Sequence, residues 1–252
     1  MPLQTIEPRR LYRQIAGPLR TLIEKGEFAV GSRLPPERDL AVQLGVSRPS
    51  VREALIALEV EGHVEVRMGS GIYVRQIDPA DPASERVVSA EAPLETIRAR
   101  QLIESELAAH AAKHMKKAQV AGLREAIVMM EADADAGRTP TRGDRLFHTR
   151  IAEACDNSVL LRVVGELFDE RHNPLFEQLG SHFETERSWA AAVAEHRAVL
   201  DAIARQSPRA ARAAMARHLA RSHDRFTANW PADDGAAAPA RAARKRAAKI
   251  AR

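Results

Sequence analysis

LPPERDLAVQLGVSRPSVREALIALEVEGHVEVRMGSG, residues 34–71, reads as a short helix, a tight turn, a second helix and a two-strand ribbon. Pro35-Pro36 opens the first helix, where a fixed φ and a missing N–H do little harm. Leu40, Ala41 and Leu44 share one face of it, and Gly45 supplies the left-handed dihedral that ends it. Ser47 stands where an N-cap is wanted, and Val51, Ala54, Leu55 and Leu58 recur behind it at helical spacing. Gly62 closes the second helix. Val64 and Val66 then alternate with Glu65 and Arg67, Gly69-Ser70-Gly71 makes a turn, and Ile72-Tyr73-Val74 returns. Helix, turn, helix and ribbon is a winged helix-turn-helix, a form that lays its second helix in a DNA major groove.

Upstream, residues 9–25 place Leu11, Ile15, Leu19 and Leu22 on one face of an amphipathic helix, with Gly17-Pro18 expected to kink or loosen it. Together with the stretch above this makes a winged domain over residues 1–77. Residues 78–92 hold two prolines and several small polar residues without a sustained apolar period, so they read as a linker that lets two domains move. From 93 to 230 nearly everything is helical. Six helices joined by short loops, with no strand signal, predict an antiparallel bundle. The expected fold is therefore mostly α. The last 22 residues, 231–252, are rich in Ala, Pro and basic side chains; a disordered arm is the plainer reading, loose phosphate contact the functional one.

Composition agrees with helices: 45% of the 252 residues are hydrophobic but only 4% are aromatic. A single cysteine, Cys155, excludes a disulfide framework. No apolar run reaches the roughly 18 residues that a membrane span needs, and the N-terminus lacks a signal-peptide core, so a cytoplasmic chain without a membrane partner is expected. The formal net charge is +4, yet residues 1–77 hold 11 Lys/Arg against 9 Asp/Glu. DNA reading must rest on where arginines sit, because bulk basicity of the head is slight.

Arg48 and Arg52 are four residues apart on the second helix, so both are expected to project from its exposed N-terminal part. An arginine fork can bond guanine O6 and N7 together, which discriminates by roughly 1–3 kcal/mol. Arg38 approaches from the first helix, Ser47 and Ser50 can reach phosphates or bases, and Gly69 and Gly71 let the wing backbone come close to DNA. A pair with Glu37, Glu53 or Asp39 is the structural alternative for each arginine.

In the helical region, Asp144 and His148 are i and i+4 and share a helix face. His196 and His218 each sit among inward apolar residues of the last two helices. Three imidazoles and a carboxylate suit a divalent metal ion such as Zn²⁺, although spacing alone leaves open that these histidines are packed core residues. Hydrolytic signatures are missing: there is no HExxH, no H-x-E with a PCxxC, and no carboxylate base evident beside the ligands. The chain is read as a non-enzyme. Arg100 offers a bidentate partner for an effector carboxylate or a salt bridge to Glu104, and Arg171 and Asn173 form a second polar candidate at a helix interruption.

EPRRLY at 7–12, GSRLPPERDLA, VSRPSVREAL, LEVEGHVEVRMGSGIYV and the helical remainder resemble the GntR superfamily of bacterial regulators. More narrowly they are similar to its FadR branch, whose C-terminal bundle is the FCD domain; the resemblance covers residues 7–230. It implies that Arg38, Arg48, Arg52 and the glycine wing match DNA-contacting positions, and that a homodimer binds a pseudo-palindromic double-stranded operator. It also implies metal binding, because metal-holding FCD domains carry an Asp-x3-His on one helix and single histidines on the last two. RQLIES, NSVL and RHNPLFEQL further resemble hexuronate-utilisation repressors, which implies a sugar-acid inducer; related branches sense lactate, gluconate or dicarboxylates. Two rivals stand beside this reading: a metalloenzyme fused to a DNA-binding module, and a nucleoid-architectural protein indifferent to small molecules.

Overall fold

The computed structural model describes residues 10–76 and 90–228. The head is built from α1 (Leu11–Glu24), α2 (Glu37–Leu44), α3 (Arg48–Val60) and the antiparallel ribbon β1 (Val64–Arg67) and β2 (Gly71–Val74), paired from Val64↔Val74 to Arg67↔Gly71. Ser47 caps α3 by accepting from Ser50 N at 3.2 Å, and Gly45 ends α2 at φ 65°. Leu34 N bonds Ile72 O at 2.8 Å, tying the approach to α2 onto the ribbon.

α1 stays helical through Pro18, which is exposed, so the carbonyl that loses its partner there can turn to water. The buried face is Tyr12, Ile15, Ala16, Leu19 and Ile23, packed on α3, while Leu11 and Leu22 lie partly exposed.

The bundle comprises α4 (Pro93–His114), α5 (Lys117–Asp135), α6 (Thr141–Glu153), α7 (Ser158–Asp169), α8 (Pro174–Phe183), α9 (Glu186–Ala204) and α10 (Pro208–Thr227). That is seven helices, one more than the pattern suggested. The stretch read as one helix breaks at a 3₁₀ turn over Glu170–His172, and Asn173 caps a new helix by accepting from Phe176 N at 2.9 Å, with Pro174 in first position. α4 and α10 pack along their lengths, where Ala108, Ala111, Ala112, Ala211 and Ala214 let the backbones approach. No described helix is long and apolar enough to cross a membrane. Residues 78–89 of the expected linker and the tail 231–252 lie outside the described residues.

Head and bundle share one apolar core. Leu175, Phe176, Leu179 and Phe183 of α8, with Phe226 of α10, join the cluster built by α1, α2 and α3. At the seam the Glu53 carboxylate accepts from Leu94 N at 2.8 Å, in the first turn of α4. Burial raises the Glu53 acid from 4.5 to about 7, more than the Leu94 bond lowers it. Folding therefore favours the neutral acid: this contribution is fully present below about pH 4.5 and is lost as pH rises through about 7. Glu53→Gln keeps the acceptor and removes the charge. Its melting temperature should match wild type near pH 4.5 and exceed it at pH 8, by the equivalent of up to about 3 kcal/mol. A difference independent of pH would contradict the buried-acid assignment.

Candidate metal centre and DNA-reading face

Three imidazoles and one carboxylate meet inside the bundle. Asp144 and His148 stand one turn apart on α6, His196 comes from the middle of α9 and His218 from α10. One ligand atom of each lies within 4.8 Å of all the others, and the three histidines are buried. α6 reaches this position because Gly143 lets it touch α5: a Cβ there would fall 2.7 Å from Ala126 O and 2.8 Å from Met130 N. Phe147 and Phe168 pack against the rings.

Each ring is held from behind. His148 Nδ1 bonds the Glu104 carboxylate, His196 Nδ1 bonds Ala192 O at 2.7 Å, and His218 Nδ1 bonds Glu195 Oε2 at 2.9 Å. Oxygen acceptors on Nδ1 assign the ring proton to that side and leave Nε2 as a lone pair. In front, His196 Nε2 lies 2.9 Å from Asp144 Oδ1 and 3.0 Å from His148 Nε2, and His148 Nε2 is 3.5 Å from Asp144 Oδ1. With protons on Nδ1, these inner atoms are all acceptors, an arrangement that repels itself unless a cation or added protons sit among them. The donor set fits a divalent ion taking nitrogen and oxygen ligands.

Charge states agree. Burial, then the neighbouring His196 and His148, holds His218 well below the usual imidazole range, in the neutral form a metal takes. Burial pushes the Asp144 acid up, but the neighbouring His148 and His196 outweigh it and place the carboxylate well below its usual range. His148 moves up: burial opposes this, but Glu104 and Asp144 outweigh it, so a proton competes with metal there. Glu104 and Glu195 correct the expectation that no carboxylate stands beside the ligands. Both are spent on ring Nδ1 atoms and on arginines, Glu104 on Arg100 and Glu195 on Arg225 at 3.0 Å, which suits them to hold rings rather than to act as bases. The i,i+4 spacing of Arg100 and Glu104 was the one sequence signal for this layer.

A cavity opens beside the ligands, with Arg100, Arg171 and Arg225 around it and hydroxyls from Thr139, Thr141, Ser188 and Ser222 on its walls. Arg100 Nε bonds Glu104 Oε1 at 2.7 Å and its guanidinium lies 4.0 Å over the Phe168 ring. Its Nη2 is buried and has no partner among the described residues, as is Trp189 Nε1 in the same wall. Arg171 bridges Asp144 Oδ2 at 3.4 Å and Glu184 Oε1 at 2.9 Å. Asn173 is not part of the cavity. Its amide caps α8 and gives its N–H to Glu91 O and Glu170 Oε2, which corrects the effector-contact reading.

On the head, Arg38 is the most open arginine of the predicted set, 81% exposed and 3.4 Å from Asp39. Arg48 is half-exposed and bonds Glu37 Oε1 at 3.1 Å. The Ser47 and Ser50 hydroxyls lie 2.8 Å apart at the start of α3. Gly69 and Gly71 turn the wing at φ 68° and 133°, and a Cβ on Gly71 would strike Arg33 Nε at 2.3 Å. Arg52 departs from expectation. It is 1% exposed, clamped to Glu37 Oε2 at 2.9 Å and to carbonyls at the end of α10, so it does not project from α3.

The head matches the family described as bacterial regulatory proteins, gntR family, over residues 11–74, and the bundle matches the FCD domain over residues 95–221. The Exu regulon transcriptional regulator of Escherichia coli K12 is 39% identical over 223 residues, covering 86% of this chain and 84% of that protein. The Uxu operon transcriptional regulator of the same strain is 37% identical over 217 residues, covering 84% of each. A further E. coli K12 regulatory protein, named for the L-lactate dehydrogenase operon, is 33% identical over 229 residues and covers 86% of each. The chain belongs to the GntR family of transcriptional regulators, in the group that carries an FCD domain. Its winged head serves DNA and its helical domain serves a small-molecule effector; the family is one of regulators, not enzymes.

His196→Ala combined with His218→Ala removes two of the three imidazoles. Elemental analysis of the purified variant should find the wild type's stoichiometric metal gone, and full retention would move the site elsewhere.

Proposed function

We propose that the chain is a homodimeric repressor, released from its operator when a sugar acid of hexuronate type binds in the cavity beside the metal centre. One observation carries the effector class. Arg100 Nη2 is a buried, unpartnered donor on a cavity whose other walls bear hydroxyls, so an anion with several hydroxyl groups meets its complement there. Asp144, His148, His196 and His218 would hold the ion, Zn²⁺ by donor type. Bound there, the ion supplies positive charge and coordination positions for carboxylate and hydroxyl oxygens. Arg171, already between Asp144 and Glu184, is placed to exchange one of these carboxylates for that of the effector. The Exu and Uxu names of the most similar relatives support the hexuronate reading; the lactate-operon relative supports a smaller hydroxy acid as second candidate.

For DNA, Arg48 reads bases, Arg38 and the wing backbone at Gly69 and Gly71 hold phosphates, and Ser47 and Ser50 contribute from the start of α3. Effector and operator are coupled reciprocally, typically by 1–3 kcal/mol.

An operator is obtained by selecting duplexes from a random pool with the full chain. Galacturonate or glucuronate should weaken binding to that duplex, by about 5- to 150-fold on the usual scale of coupling, with lactate and dicarboxylates less effective. Undiminished affinity with every sugar acid, despite their binding to the protein, would defeat the repressor reading. Arg48→Ala should relax base preference, whereas Arg38→Ala should weaken binding to all sequences alike. Wild-type footprints and affinities for both variants would remove these assignments.

A further inference from the structure

Two consecutive charged residues of α3 close the ends of two bundle helices. Arg52 Nη1 donates to Phe226 O at 2.7 Å and to Ala228 O at 2.6 Å, at the C-terminal end of α10. Its neighbour Glu53 accepts from Leu94 N at 2.8 Å, in the first turn of α4. The Arg52 cation at a C-terminus runs with the dipole of that helix, and the Glu53 carboxyl supplies an acceptor to the start of α4 whether it is charged or neutral. The start of α4 has no side-chain cap of its own, since Ala92 occupies the capping position. The rest of the Arg52 fork is taken by Glu37, at 2.9–3.2 Å, and its plane lies 5.1 Å from the Phe183 ring centre. A third tie joins the far end of α3 to α8, where Glu59 Oε2 meets His182 Nε2 at 2.7 Å.

Both capped helices reach the cavity. α10 lines it with His218 and Arg225, and α4 contributes Arg100, which is held by Glu104 one turn on. A shift of either helix therefore reaches the second helix of the helix-turn-helix through a hydrogen bond rather than through a chain of loose contacts.

We propose that this double cap is an autoinhibitory clasp: while Arg52 closes α10 it is withheld from DNA, and operator binding requires the caps to part. The proposal rests on the reading of this chain as an operator-binding regulator. The clasped and operator-bound states exclude each other through one guanidinium, so stabilising the clasp weakens the operator complex in proportion. Arg48, four residues earlier, is half-exposed and bonds Glu37, and its bonds in the structure do not include the α10 carbonyls that hold Arg52.

Hydrogen–deuterium exchange on the full chain, alone and with the selected duplex, tests the clasp. Operator binding should deprotect peptides spanning 90–97 and the last turn of α10, although both belong to the bundle. His182→Ala provides a second readout away from the DNA-reading face. It leaves the half-buried Glu59 carboxylate, which still accepts from Val66 N at 2.9 Å, without that partner in the clasped state, so operator binding should tighten, by up to about tenfold. Unchanged protection around Leu94 in the complex, or wild-type operator affinity in H182A, would overturn the clasp. Should the clasp fail while uronate still releases the duplex, the regulator reading stands; should no duplex be enriched, both fall.

Discussion

Three imidazoles are pinned by their Nδ1 atoms so that their Nε2 lone pairs face one another across the bundle, and much of the domain is arranged to permit that. Glu104 holds one ring from α4, Glu195 another from α9, and the carbonyl of Ala192 the third. Each tether is itself fixed, Glu104 by Arg100 and Glu195 by Arg225, so orientation is inherited from the α4, α9 and α10 backbones. Burying so many acceptors together is unfavourable without positive charge between them, and phenylalanine rings pack against two of the three imidazoles. The bundle is thus stable in a form that asks for a cation.

The same helices end at the head. A shared apolar core, with Phe226 edge-to-face against both Phe176 and Phe183, removes water from the seam, and within it the polar ties of Arg52, Glu53 and Glu59 act at low dielectric. Such ties are directional, whereas the phenylalanine contacts are not. Apolar packing accordingly sets how strongly the head docks, and the charged residues set where it docks.

The helix-turn-helix was legible because its signals are local: prolines, glycines and a capping serine punctuate two short periods. Asp144 and His148 were legible for the same reason, four residues apart on one helix. His196 and His218 come together with them only through packing of α6, α9 and α10, which no spacing encodes; the family resemblance supplied that link. Burial of Arg52 escaped notice because its carbonyl partners lie more than 170 residues away, and a helical wheel counts only neighbours on its own helix. Asn173 was misread in the opposite sense. Its side chain serves the three residues after it, a capping role that Pro174 announced. Glu104 was visible only as a salt-bridge partner for Arg100, and Glu195 was hidden by its commonness, since glutamates on helices are usually solvated.

Gly143 contributes no ligand atom, yet it governs the centre by what it lacks. Ordinary contact for a methyl begins near 3.4 Å, and one placed here would start at 2.7 Å from the neighbouring backbone. Relief would require moving α6, which carries two donors, by more than the roughly 0.2 Å that a coordination shell tolerates. A larger residue at this position would therefore disturb the spacing of the four donor groups even with every histidine retained.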